Sequence, residues 1–204
     1  MISRGEKLVL ASHNQGKLKE FAQAFAPYSV GFTSAAALGL PEPEETGATF
    51  TDNALLKARA AALGASMAAL ADDSGLAVTG LDGAPGIYSA RWAGPGKDFA
   101  VAFDRIKTEL EGKGISPEGA EAAFVCVLAV VTPQGQEITA EGRVTGRLTF
   151  PPRGSGGFGY DPVFVPEGEG RTFGEMTPEE KARFSHRMRA FDALVRKIWP
   201  DGAP

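Results

Sequence analysis

Cysteine, histidine, long apolar runs and surplus positive charge are all scarce in this chain, and each scarcity removes a class of function. The single cysteine, Cys126, lies inside the apolar run Phe124–Val131, which excludes an internal disulfide and points to a buried, inert thiol. With His13 and His186 as the only imidazoles, a zinc site of nitrogen and sulfur ligands is disfavoured. A metal here is expected to be oxygen-ligated, hence magnesium or manganese. The formal net charge of -4 gives no general attraction to a nucleic-acid lattice, so an anionic ligand must be held by locally placed basic groups. That favours a small phosphorylated ligand over DNA or RNA. No run approaches the roughly twenty apolar residues of a membrane span, and Met1–Lys7 leads straight into a short strand without a charged-then-apolar leader. A soluble, cytoplasmic protein without a membrane partner is therefore expected.

What is present is enough for a core: 204 residues, 43% of them hydrophobic, fit one domain or two closely packed lobes. The stretch that organises the rest is Ala71-Asp72-Asp73-Ser74-Gly75, set between the apolar run Met67–Leu70 and the alternating run Leu76–Thr79. Two adjacent carboxylates, a hydroxyl and a glycine at a strand end are costly to place without a charged partner, and a divalent cation or a polyphosphate would supply one. The competing reading is a polar turn between two strands.

Along the chain, Lys7–Ser12 reads as a buried strand. His13-Asn14-Gln15-Gly16 then turns into a helix over Lys17–Ala26, with Leu18, Phe21, Ala22 and Phe25 at helical spacing. Lys17 in the first helical turn, beside unpaired backbone donors, suits a phosphate; otherwise it is a solvated lysine. Tyr28–Thr33 can be a second strand. Pro41–Gly47 is a proline-stiffened acidic loop, either merely solvated or bringing Glu44 or Glu45 to a cation shared with Asp73. Thr49–Ser66 is the clearest helix, its apolar stripe formed by Phe50, Ala54, Leu55, Ala58, Ala61 and Ala62. Lys57 stands beside that stripe and either snorkels to solvent or reaches a buried anion.

Asp98–Leu110 reads as another amphipathic helix, and Phe124–Thr132 with Glu137–Thr145 as two long strands joined by a tight turn. Gly154, Gly156 and Gly159 formally match a dinucleotide fingerprint, which is rejected because Asp161-Pro162 and Val163–Val165 continue as an extended segment, not a helix. This leaves a flexible loop showing Phe158 and Tyr160 on the same side if extended, as core rings or as a stacking surface. Thr177-Pro178-Glu179-Glu180 is a capping box that starts a helix carrying Lys181. Ser185 can cap a second segment through Met188, Phe191, Leu194 and Ile198, placing His186 and Arg187 at its amino end. A break between the two segments is the favoured reading.

Taken in order, these pieces resemble the inosine triphosphate pyrophosphatase family, the Ham1-like or RdgB-like nucleoside-triphosphate pyrophosphatases that remove deaminated purine nucleotides. The resemblance is carried by Ala11–Lys17, Glu44–Gly47, Asn53–Ala58, Ala71–Leu76, Gly83–Arg91, Gly156–Pro162, and Lys181 with Ser185–Arg187. Each motif alone is weak; the ordered set, running from the first strand to the last helix, is strong. His13 stands where many members have glycine, and the segment Ala93–Ala100 is shorter than usual.

The resemblance implies an α/β fold over residues 1–204, two lobes around a long twisted mixed sheet with the nucleotide cleft between them, and a homodimer. It implies magnesium-dependent hydrolysis, with manganese as a substitute, of ITP, dITP and XTP to nucleoside monophosphate and pyrophosphate. Position by position, Ser12, His13, Asn14, Gln15, Gly16, Lys17 and Lys57 resemble the triphosphate cradle. Asp73 resembles the proton acceptor and metal ligand, with Glu44 or Glu45 as its metal-binding partner, and Lys57 joins Asp73 in catalysis. Ser74, Phe158, Gly159, Tyr160, Asp161, Lys181, His186 and Arg187 resemble substrate contacts. The chemistry agrees: a bound triphosphate carries about four negative charges, so an attacking water is repelled unless cations neutralise the phosphates and a carboxylate orients it. The competing functions are a pyrophosphatase for other modified or pyrimidine nucleotides, and a nucleotide-binding regulatory module that does not hydrolyse.

Overall fold

The computed structural model describes residues 2–200, with Gln15 described by its backbone only. Among the described residues six strands form one open mixed sheet in the order β2-β1-β3-β4-β5-β6: β1 Lys7–Leu10, β2 Gly31–Ser34, β3 Ala69–Val78, β4 Glu121–Val131, β5 Glu137–Leu148 and β6 Phe164–Pro166. β1 runs parallel to both β2 and β3, while β5 and β6 are antiparallel. The helices are α1 Gln15–Phe25, α2 Phe50–Ala65, α3 Ser89–Trp92, α4 Phe99–Gly112, α5 Pro178–Ala182 and α6 His186–Ile198. No helix among the described residues is long and apolar enough to cross a membrane.

The chain divides into two compact units. The first comprises the described residues up to Asp73, Val127–Glu141 and the described residues from Ala190; the second comprises Ser74–Cys126 and Gly142–Arg189. In the first unit α2 begins at a capping box in which Thr49 and Asp52 satisfy each other's backbone N–H, as its sequence stripe requires. Ala54, Ala58, Ala61 and Ala62 bury against Val9, Ala69, Ala71 and Val127, and their small size lets the helix lie close to the strands. Replacing Ala58 by leucine would overpack this face at a cost of about 1–3 kcal/mol. A second apolar layer of the same unit ties α1 to the last turns of α6: Phe25 meets Phe191 edge-on at 4.8 Å, and Tyr28 stacks on Trp199 at 4.8 Å. Each such ring pair is worth about 0.5–1.5 kcal/mol beyond burial.

In the second unit, Leu76, Val78, Phe103, Ile106, Leu110, Phe124, Val144 and Phe164 form the core. The expected break between α5 and α6 is present. Thr177 and Glu180 make the capping box of α5, and Ser185 Oγ accepts from the Met188 N–H at 3.2 Å to start α6.

Two expectations need correcting here. Ala71–Gly75 is not a turn and not a strand end, because β3 continues unbroken from Ala69 to Val78 between β1 and β4. Local turn propensity loses to the sheet because each carboxylate finds a cation, as described below. Helix α1 also starts earlier than Lys17, since Asn14 caps it by accepting from the N–H groups of Gly16 and Lys17 at 2.8 and 3.3 Å. The rejected dinucleotide fingerprint stays rejected: Gly154–Gly159 is loop, followed by a short 3-10 turn at Asp161–Val163 and then β6.

Candidate active site

The first unit gathers two lysines and three carboxylates. Successive strand residues point to opposite faces, so Asp72 and Asp73 on β3 meet different helices. Lys17 of α1 donates to both oxygens of Asp72 at 2.8 Å, with Asp72 only 3% exposed. Lys57 of α2, itself 7% exposed, donates to Asp73 Oδ1 at 2.9 Å and to Glu45 Oε1 at 2.7 Å. Asn53, one turn before Lys57, faces Asp73 Oδ2 through its Nδ2 at 3.4 Å. On one face Asp72 pairs with Lys17, and on the other Asp73 and Glu45 share the single ammonium of Lys57.

The titration behaviour follows from that balance. Burial by itself would lower the Lys57 pKa, yet Asp73 and Glu45 outweigh it and hold the ammonium above its ordinary value. Burial lifts the Asp73 carboxyl above the usual carboxylate range; Lys57 opposes the rise and Glu45 adds to it. The pair therefore keeps its proton on lysine, while Asp73 still carries a desolvation cost that a further cation would relieve.

The remaining cradle residues are placed as follows. Ser12 is buried, and its Oγ accepts from the Asn14 N–H at 3.1 Å. His13 is exposed and donates from Nε2 to the Leu40 carbonyl at 3.1 Å, so its ring reaches the start of the acidic loop. Gly16 is exposed at the first turn of α1. The side chain of Gln15 lies outside the described residues. Of the two acidic-loop candidates, Glu45 reaches Lys57, whereas Glu44 is exposed and is not among the groups that meet it.

In the second unit, Asp161 is the organiser of its loop. Only 1% exposed, its Oδ2 accepts from Lys181 Nζ at 2.5 Å and from the Phe158 N–H at 2.6 Å. A side chain at Gly157, whose φ is +75°, would run into that carboxylate. Lys181 also lies 5.1 Å from the Phe173 ring centroid.

Phe158 and Tyr160 do not share a face. Phe158 is 72% exposed with its ring edge-on to Phe99, whereas Tyr160 is 2% exposed, packs on Phe99 and Phe103, and donates its hydroxyl to the Ser89 carbonyl at 2.8 Å. Positive φ at Gly157 and Gly159 breaks the two-residue alternation that an extended loop would have. Burial also holds the Tyr160 phenol above its usual range, as a core hydroxyl should be. Gly159 is half-buried against Phe99. His186, the first residue of α6, is buried and stacks on Phe124 at 4.8 Å with rings 11° from parallel. Arg187 and Ser74 are half-buried.

Sequence reasoning gave Asn53 no role of its own although it opens the Asn53–Ala58 motif, and it missed that Lys17 takes Asp72 as its partner. The first could have been flagged by its i, i+4 spacing with Lys57. The second had no signal, because the partners are 55 residues apart.

Among the described residues no three or more imidazole, thiolate or carboxylate groups converge as a metal cage. Asp73 and Glu45 nonetheless fit magnesium or manganese. These hard cations take one or two protein carboxylates and complete their coordination with water and substrate phosphates.

Comparison with known proteins places the chain in a family. The chain is 56% identical over 195 residues to the dITP/XTP pyrophosphatase of Rhodospirillum centenum, covering 96% of each chain. It is also 56% identical over 195 residues to the dITP/XTP pyrophosphatase of Caulobacter vibrioides, covering 96% of this chain and 99% of the other. Among solved structures, the HAM1 protein of Coxiella burnetii superposes with a TM-score of 0.88 at 35% identity, over 97% of this chain and 100% of that one. The Staphylococcus aureus Ham1 protein superposes with a TM-score of 0.86 at 34% identity and the same coverage. The sequence profile of the Ham1 family matches residues 8–197, and with the fold and the clusters above this establishes that the chain belongs to the Ham1 family.

Proposed function

We propose that this protein hydrolyses deaminated purine nucleoside triphosphates, ITP, dITP and XTP, to the nucleoside monophosphate and pyrophosphate. The observation that carries the reading is Lys57, buried and held between Glu45 and Asp73. An ammonium has three N–H donors, and these two carboxylates take two, which leaves one for a phosphate oxygen. Lys17 adds a second cation for the triphosphate.

In the reaction, Asp73 orients a water molecule against the α-phosphorus and accepts its proton as the new P–O bond forms. The bond from the α-phosphorus to the bridging oxygen breaks, and pyrophosphate leaves with the electron pair. Burial already moves the Asp73 carboxyl toward greater basicity, the direction a general base needs. Glu45 and Asp73 would hold magnesium, which when bound supplies charge neutralisation for the phosphates. Phe158 offers an exposed ring to the base. His186 and Arg187 serve as donors to the 6-oxo acceptor of hypoxanthine or xanthine, which an adenine amino group would replace with a clashing donor. A homodimer in the cytoplasm completes the proposal.

The test is hydrolysis of ITP in water enriched in heavy oxygen, with product analysis by mass spectrometry. Label in the monophosphate and unlabelled pyrophosphate are expected. Label in the pyrophosphate, or release of inorganic phosphate, would refute attack at the α-phosphorus.

A further inference from the structure

The loop that carries Glu45 ends at Gly47, and its end is gripped by a residue that the reaction scheme above does not use. The Gly47 N–H donates to Asn53 Oδ1 at 2.8 Å. Because a backbone N–H can only donate, this bond fixes which end of the carboxamide is oxygen. It therefore turns Nδ2 toward Asp73 Oδ2, 3.4 Å away. Asn53 is fully buried, and it stands one helical turn before Lys57 on α2.

The contacts close a ring. Lys57 joins Glu45 to Asp73 Oδ1, Asn53 joins Gly47 to Asp73 Oδ2, and Glu45 and Gly47 are two residues apart on one loop. Gly47 is required for the close approach: a Cβ there would stand 2.6 Å from Asn53 Oδ1, 2.6 Å from Asp52 Cβ and 2.9 Å from the Asn53 nitrogen. A carboxamide offers an acceptor and a donor on one planar head. Aspartate keeps only the acceptor, and leucine keeps neither.

We propose that Asn53 is a positioning residue that yokes the Glu45 loop to Asp73, gripping Gly47 with its oxygen and the carboxylate with its nitrogen, so that Glu45 and Asp73 keep one fixed relation about Lys57. This rests on the function proposed above for its kinetic consequence, but the yoke itself is a statement about bonds.

The experiment compares the full-length wild type with Asn53→Asp, Asn53→Leu and Gly47→Ala by amide hydrogen exchange and by steady-state kinetics on ITP. The Gly47 amide should be protected in the wild type and in Asn53→Asp, and should exchange about tenfold faster or more in Asn53→Leu. In Asn53→Asp and Asn53→Leu, kcat should fall about tenfold or more, and in Asn53→Leu KM should move less than about threefold, because a misaimed carboxylate slows the chemical step without removing a phosphate contact. Gly47→Ala lies on a loop and should stay folded, yet it should shift the Asn53 side-chain amide resonances and lower kcat. A merely structural asparagine would lower the melting temperature without this split between kcat and KM.

The proposal is overturned if Gly47 exchange is unchanged in Asn53→Leu, or if folded Asn53→Asp turns over within about twofold of wild type. Should Asn53→Leu fail to fold, unshifted Asn53 resonances and an unchanged kcat in Gly47→Ala overturn it equally. If the wild type does not cleave ITP, the functional reading falls, and the exchange and resonance measurements still decide whether the yoke exists.

Discussion

Replacing Lys57 by methionine keeps most of the length and volume of the side chain and removes its charge. The substitution leaves Asp73, 8% exposed, facing Glu45 with no cation between them. Orphaning a buried charge costs about 3–5 kcal/mol. The Glu45 side chain is 31% exposed and can turn into water, which places the cost near the lower end, about 3 kcal/mol. For a protein of this length each kcal/mol moves the melting temperature by about 2–4 °C, so a fall of about 6–12 °C is expected. Differential scanning calorimetry at neutral pH measures it. The same variant should bind a non-hydrolysable triphosphate analogue far more weakly while its affinity for the nucleoside changes little, as titration calorimetry can show. A melting temperature within about 2 °C of wild type, or equal losses for both ligands, would refute the claim that Lys57 both neutralises the buried carboxylates and meets the phosphates.

Other expectations follow from particular contacts. Asp73→Asn should keep the fold and nucleotide binding while turnover falls about a hundredfold or more, and near-normal kcat would remove Asp73 from the chemistry. Phe158→Ala should weaken purine binding without moving the melting temperature, because the ring is 72% exposed. Tyr160→Phe should instead cost about 1–2 kcal/mol of stability through the lost bond to the Ser89 carbonyl and leave base affinity unchanged; the reverse pattern in urea unfolding and ligand titration would show that the two rings had been misassigned. The Arg59 guanidinium holds Glu137 below the usual carboxylate range through two bonds of 2.5 and 2.7 Å. A depressed folded pKa contributes stability above the unfolded value and loses it as pH falls through the folded one. The melting-temperature gap between wild type and Glu137→Gln should therefore be widest near neutrality and close below about pH 4; a gap independent of pH would contradict this.

What the sequence disclosed depended on how far apart the cooperating residues lie. Helix α2 was legible because its stripe and Lys57 fall within one run of sixteen residues. The break before α6 was legible because Ser185 supplies its own cap. Asp72 and Asp73 were placed at a strand end, with a turn as the competing reading, because Asp, Ser and Gly carry that local preference. What keeps them in a strand are lysines 55 and 16 residues away, brought there by the order of the sheet. The pairing of Phe158 with Tyr160 failed for a similar reason: two glycines with positive φ reset the direction of the chain, and the alternation rule holds only for extended backbone. Glu45 could not be chosen over Glu44 from composition alone, since only the fold decides which of two adjacent carboxylates turns toward Lys57.

If this protein selects deaminated purine triphosphates by reading the 6-oxo edge of the base, a panel assay of pyrophosphate release will show it. With ITP, dITP, XTP, GTP and ATP compared at equal concentration, strong hydrolysis of the first three and almost none of ATP are expected, and Arg187→Ala should narrow the gap between ITP and ATP; GTP shares the 6-oxo group, so its expected weak hydrolysis depends on its 2-amino group and not on that edge. Comparable kcat/KM for ATP and ITP in the wild type would contradict the account.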